Sequence, residues 1–167
     1  MAAGKYKQRI TVQITRKFES INVSLPRLKR LAKAVCAHFK ISKATVGITI
    51  TDDTEIRRLN RRFLNHSRTT DCLSFNLSDD EDAVKSFDLV VNGELALREA
   101  KRRGHPAEAE LALYITHGLL HNLGFDDSTR KQAQKMHNTE DKILRQFGYG
   151  PVYSKMYQNP KSIINRQ

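Results

Sequence analysis

The chain has 167 residues and a formal net charge of +11, and 39% of its residues are apolar. That content builds one core of ordinary size and excludes long disordered tails, collagen-like repeats and a pair of large domains. No apolar run approaches the roughly 20 residues of a membrane-spanning helix, so a soluble protein is expected, and the basic excess favours polyanions, nucleic acid first.

The first strand is predicted over about residues 7–15, where Ile10, Val12 and Ile14 alternate with Thr11, Gln13 and Thr15. This period of two separates the segment from an amphipathic targeting helix, although Lys5, Lys7, Arg9, Arg16 and Lys17 crowd around it. Ser24 then caps a helix with Pro26 in its first turn and an apolar stripe of Leu28, Leu31, Ala32, Val35 and Phe39. A second strand follows at about 45–51. Asp52 and Asp53 open a short helix whose buried side is expected to be Ile56, Leu59 and Phe63. Polar residues from Asn65 to Thr70 lead to a third strand at Cys72–Leu77, and the acidic run Ser78–Asp82 reads as a solvated loop. A fourth strand is expected over about Asp88–Leu97. Pro106 starts a helix to about Leu123, and a last helix runs from about Ser128 to Phe147, where Gly148 ends it. The tail from Tyr149 is basic, with Lys155, Lys161 and Arg166 and no acid. Cys36 and Cys72 form no CxxC pair and read as buried free thiols, which fits a reducing, cytoplasmic compartment. The expected fold class is α/β (α+β): one domain over 1–148, a mixed four-stranded sheet flanked by about five helices, then a basic tail over 149–167.

His117 and His121 lie four apart in a helical pattern, so their imidazoles share one face. That geometry offers both rings to a single ion, although many such pairs bind nothing. Gly124 can take the left-handed conformation that ends a helix, and a chain reversed there carries position 127 back towards the histidines. The spacing follows the logic of the metzincin pattern, with Asp127 in the third-ligand place. A carboxylate binds zinc at about 2.0–2.2 Å, and three protein ligands leave a fourth position open. Metzincins carry a glutamate base directly after the first histidine. Here that residue is Gly118, which has no group to accept a proton, so proteolysis is disfavoured.

The segment His117-Gly118-Leu119-Leu120-His121-Asn122-Leu123-Gly124-Phe125-Asp126-Asp127 resembles the H-G-x-L-H-L-x-G-Y-D-H motif of the YbeY family. A second block, Asn60, Phe63 and Thr70-Asp71-Cys72-Leu73-Ser74-Phe75, is similar to that family's N-x-x-Y-R…T-D-V-L-S-F segment. Gly93-Glu94 stands where the family has Gly-Asp before a strand, and Met136, Glu140 and Ile143-Leu144 match its last helix. The resemblance implies a single-domain, metal-dependent endoribonuclease specific for single-stranded RNA. Its expected roles are small-subunit 3′-end maturation of ribosomal RNA and ribosome quality control. It also implies one zinc or similar divalent ion on His117, His121 and Asp127, with RNA and the ribosome as partners, no membrane and no DNA. Three positions depart from the motif. Asp127 replaces a histidine, Leu64 an arginine and Asn122 a leucine. If the missing arginine contacts phosphate, that task passes to Arg61, Arg62 or Arg68. Leu64 and Asp127 also motivate a rival reading, an RNA- or ribosome-binding factor that keeps the fold and metal site with little nuclease activity.

Arg57, Arg58, Arg61, Arg62 and Arg68 lie in a stretch without an acid from Ile56 to Arg68. It reads either as a solvated helix face or as a phosphate-tracking surface. Lys101-Arg102-Arg103 divides in the same way. His137 reads as a surface histidine, with rivalry to Asp127 as the lesser alternative, and His38, His66 and His105 as structural or surface groups. Asp71 is expected to hold its loop rather than to transfer protons. Ser74, Tyr114 and Thr116 form no nucleophile–base arrangement.

Overall fold

The computed structural model describes residues 7–153. In chain order the elements are β1 (Arg9–Arg16), α1 (Leu25–His38), β2 (Lys43–Thr51), α2 (Asp53–Leu64), β3 (Cys72–Asn76), β4 (Lys85–Asn92), α3 (Gly93–Arg103), α4 (Ala107–Asn122) and α5 (Arg130–Gln146). The sheet order is β1-β2-β4-β3. Strands β1, β2 and β4 run parallel, and β3 closes one edge antiparallel to β4. This is the expected mixed four-stranded sheet with five helices in one α/β domain. Residues 154–167 of the basic tail, with Lys155, Lys161 and Arg166, lie outside the described residues, as does Lys5.

Alternation along the strands decides which face is covered. Val46, Ile48 and Ile50 of β2 and Phe87, Leu89 and Val91 of β4 join α1 and α4 in the main core. The opposite face shows the exposed Thr11, Gln13 and Thr15 of β1. There α2 covers only the β4–β3 corner, through a small cluster of Ile56, Leu73 and Val90. Helix α4 is the central post. Eleven of its sixteen residues are buried, so it is apolar almost all round, as a helix inside a core must be. Each fully buried leucine there, such as Leu119 and Leu120, contributes about 1.5–3 kcal/mol.

Local signals account for most helix starts. The Ser24 hydroxyl accepts from the Arg27 amide, and Asp52 accepts from Glu55. Thr129 and Gln132 form a reciprocal capping box that starts α5. One segment departs from expectation. The strand predicted to reach Leu97 stops at Asn92, and Gly93-Glu94 opens α3 instead of preceding a strand. The reason is a cap: the Asn92 side chain accepts from the Leu95 amide at 3.0 Å. Beyond it, Ala96 and Ala100 recur at helical spacing and are buried.

A second departure concerns α2. Ile56 is buried and Leu59 half-buried, but Phe63 is 55% exposed, where burial was expected. The last turn of α2 reaches the edge strand β3, and no further strand among the described residues lies beyond to cover it. The acidic run behaves as a solvated loop that binds itself, with Asp79 donating its amide to Asp82 and Lys85 donating to the Asp79 and Asp80 carbonyls. Both cysteines are free. Burial pushes the Cys36 thiol up to about 11 and raises that of Cys72 as well. No helix among the described residues is long and apolar enough to cross a membrane.

Candidate metal centre

From Ala109 to Leu120, every residue of α4 is buried except His117. His121, one turn later, is half-buried like it, and the two rings open on the same side. Their Nε2 atoms stand 3.0 Å apart. Asp127 Oδ2 lies 3.7 Å from each of them. The three predicted ligands therefore converge, and their donor atoms form one group able to hold a metal ion. A tetrahedral ion with bonds of about 2.0–2.1 Å needs donors roughly 3.3 Å apart, which these separations bracket.

The remaining ring nitrogens are already engaged. His117 Nδ1 meets Glu140 Oε1 at 2.6 Å, and His121 Nδ1 meets the Phe125 carbonyl at 3.1 Å. Both acceptors favour the tautomer with the proton on Nδ1, which turns the Nε2 lone pairs towards each other. Two lone pairs 3.0 Å apart repel unless a cation or proton lies between them, so the donor set fits a metal. Burial alone would lower the pKa of His117, but the hydrogen bond and charge of Glu140 outweigh it, and the net shift is upward. For Glu140, burial alone would raise the pKa, and the bonds from His117 and His137 hold it below the ordinary carboxylate value. The carboxylate that stabilises a charged imidazole also makes the neutral ring a stronger donor to a cation.

The turn after α4 brings the oxygen ligand round. Gly124 has φ +94°, a left-handed conformation that reverses the chain after Leu123. Asp126 then fixes the loop by accepting from the Asp127 and Ser128 amides and the Ser128 hydroxyl. The Ser128 hydroxyl and these amides keep its carboxyl below the usual value. Asp126 thus shapes the turn while Asp127 points inward.

Gly118 has a packing role. A Cβ at this position would sit 2.6 Å from Cys72 Sγ and 2.9 Å from Leu89 Cδ2, so α4 rests against the sheet through a missing side chain. Gly118→Ala is expected to destabilise the fold by about 1–3 kcal/mol, although alanine is the better helix former by about 1 kcal/mol. Urea denaturation checks this, and adding Cys72→Ala to the same chain should recover part of the loss.

The histidines open on a cleft of about 640 Å³. Arg68, Asp71, Arg98, Arg102, Tyr114 and Tyr153 are among the residues that line it. Of the three arginines marked in the sequence, Arg68 is on this wall. It is held there because Asn60 Nδ2 donates to its carbonyl at 2.9 Å. Arg61 and Arg62 are exposed on the last turn of α2, outside the lining. Asp71 holds its loop, its carbonyl accepting from the Asn92 amide and its carboxylate from the Thr70 hydroxyl. The Lys101–Arg103 cluster splits. Arg102 lines the cleft, and Arg103 turns inward with its side chain 1% exposed, paired with Glu99 and the buried Glu110.

Sequence reasoning placed His137 on the surface. It is half-buried instead, bonded through Nδ1 to Glu140 Oε2 at 2.8 Å and stacked on Tyr153 with centroids 3.3 Å apart. It belongs to a second group of possible ligands with His117 and Glu140. There, however, the 2.6 and 2.8 Å contacts are hydrogen-bond lengths made through Nδ1 atoms. Glu140 clamps both rings rather than joining them as ligands. The three-residue spacing from His137 to Glu140 put them on one helix face, but nothing local said that this face meets α4.

Residues 13–148 match the family model described as Endoribonuclease YbeY. Curated relatives bearing that name include a Heliobacterium modesticaldum protein, 32% identical over 66% of this chain and 74% of its own. One from Macrococcus caseolyticus is 32% identical over 74% and 86%. One from Aquifex aeolicus is 28% identical over 84% and 92%. Among solved structures, a Thermotoga maritima protein studied in solution shares the fold, with a TM-score of 0.54 and 20% identity over 94% of this chain and 97% of that one. On the family match and this relatedness, the chain belongs to the endoribonuclease YbeY family.

Proposed function

We propose that the protein is a metal-dependent endoribonuclease of the cytoplasm that cleaves single-stranded RNA in ribosomal RNA maturation, at the 3′ end of the small subunit, and in ribosome quality control. The observation that carries this reading is the convergence of His117 Nε2, His121 Nε2 and Asp127 Oδ2 on a cleft walled by arginine. The curated relatives are named as endoribonucleases, which supports RNA as the substrate. The residues His117, His121 and Asp127 would hold one zinc ion, or another divalent ion suited to the harder carboxylate oxygen. When bound, such an ion supplies Lewis-acid chemistry, polarising a phosphodiester and lowering the pKa of water.

The chain's own groups do the rest. Glu140 fixes the His117 ring, and the Phe125 carbonyl fixes that of His121. Arg68 on the cleft wall offsets charge that builds on the phosphate, the task left open by Leu64. Arg61 and Arg62 act farther out, on neighbouring phosphates. Gly118 supplies no base, so the nucleophile is water or the substrate's own 2′-hydroxyl. RNA affinity should therefore fall steeply with salt.

The test combines metal analysis with cleavage. The native protein should carry about one divalent ion per chain, Asp127→Ala should lose most of it, and His117→Ala should lose both metal and RNA cleavage. A metal-free native protein whose cleavage survives His117→Ala would overturn the reading. A second reading, a ribosome-binding factor with little nuclease activity, draws on Leu64 and Asp127. It gains if RNA binding resists chelation and catalytic amounts of protein cleave no single-stranded fragment.

A further inference from the structure

An exposed apolar strip lies on the other face of β3 from the metal cleft. Leu73 and Phe75 share that face of β3, and Leu77 follows at the same spacing just past the strand's end. Leu73 is buried under α2, Phe75 is half-buried, and Leu77 is 65% exposed. The Phe63 ring stands edge-on to Phe75, with centroids 5.5 Å apart, and Leu64 beside it is also exposed. The sequence placed Phe63 in the core, so its exposure calls for a reason.

The charge around the strip points to the occupant. No acid occurs from Ile56 to Arg68. Arg58 is neutralised by Glu55, but Arg61, Arg62 and Arg68 have no acidic partner among the described residues. The Arg62 guanidinium sits 5.4 Å from the Phe63 ring centroid. An uncovered aromatic ring among unpaired guanidinium groups matches the two chemistries of an unpaired nucleotide, a π-face and a phosphate. The strip and the cleft meet at the β3 edge. Asn122, next to His121, donates to the Phe75 carbonyl at 3.5 Å, so strip and metal ligands flank the same edge strand. Arg68, in the loop after α2, stands on the cleft wall.

We propose that Phe63 is a stacking platform for an unpaired base of the RNA substrate, a few nucleotides from the phosphate held in the cleft, with Arg61 and Arg62 on the intervening phosphates. The proposal rests on the endoribonuclease reading and gives its single-strand preference a physical source. A duplex keeps its base faces stacked inside and has none to offer Phe63. Leu64 then extends the apolar surface under the base.

The chain has no tryptophan, so Phe63→Trp introduces a single tryptophan, whose emission can be excited apart from that of the tyrosines. Titration with a 12-nucleotide oligoadenylate should quench that fluorescence saturably, and a duplex of the same length should not. Phe63→Ala should weaken oligoadenylate binding by about 5- to 100-fold, with the loss falling mainly on KM for cleavage, and Phe63→Trp should retain affinity. Thermal stability and metal content should stay as in the native protein, because the ring is largely outside the core. Two results overturn the proposal: binding by Phe63→Ala within twofold of the native protein, or no change in Trp fluorescence when anisotropy of a labelled strand shows saturation. Either leaves the strip to a protein partner. Failure of the nuclease reading looks different, since the native protein would then cleave nothing while the quench and the Phe63→Ala defect persisted.

Discussion

Glu140→Ala is expected to lower affinity for a divalent ion such as zinc by about 10- to 100-fold and to destabilise the metal-free protein by about 2–4 kcal/mol. The side chain is fully buried and bonds two imidazoles through separate oxygens. Without it, His117 keeps its place on α4 but loses the acceptor that fixes its ring and enriches its Nε2 electron density. His137 loses its hydrogen-bond acceptor as well, so two ring donors that shared one buried carboxylate are left to whatever solvent the cleft admits. Competition with a chromogenic chelator measures the first effect and urea denaturation the second. Glu140→Gln retains one acceptor oxygen and should fall between alanine and the native protein. Zinc affinity within twofold of native in Glu140→Ala would show that the ring needs no outer support.

The second large effect lies away from the cleft's chemistry. Glu110→Ala should cost about 3–5 kcal/mol, since breaking a buried ion pair strands the surviving charge. Glu110 is 0% exposed, bonds Arg103 and accepts from His105 Nε2 at 2.8 Å. Glu99 Oε2, 2.9 Å from Arg103, offsets only part of that loss. The double variant Arg103→Met/Glu110→Leu should be milder than Glu110→Ala alone, because well-packed apolar pairs often replace buried ion pairs without penalty. Denaturation midpoints of the two variants decide it. A double variant worse than the single would mean that the charges carry net stability.

These groups also mark the limit of what the sequence discloses. Helices α1 and α4 and the convergence of His117, His121 and Asp127 were legible because each depends on local spacing: a capped apolar stripe, two histidines four apart, and a glycine that turns the chain. Helix α3 was hidden because Leu95 and Leu97 continue the alternation of β4, and only the Asn92 cap breaks it. Arg103 looked like part of a cationic cluster, yet it follows Ala96 and Ala100 at helical spacing and shares their inward face. His137 and Tyr153 could not be placed because their surroundings come from α5 packing on α4. Phe63 has the right period for a core position. What the period cannot supply is that β3 is the last strand of the sheet.

The three donors of the centre are anchored unequally. Both nitrogens stand on α4, whose backbone is locked inside the core, whereas the oxygen hangs from an exposed turn hinged at Gly124. A cation there would be gripped by two donors on a rigid helix and by one on a surface turn that Asp126 braces. Amide hydrogens of α4 should exchange only on global unfolding, and those of residues 125–128 far sooner. The bracing of that one short turn would then decide how well the third donor is placed for a cation.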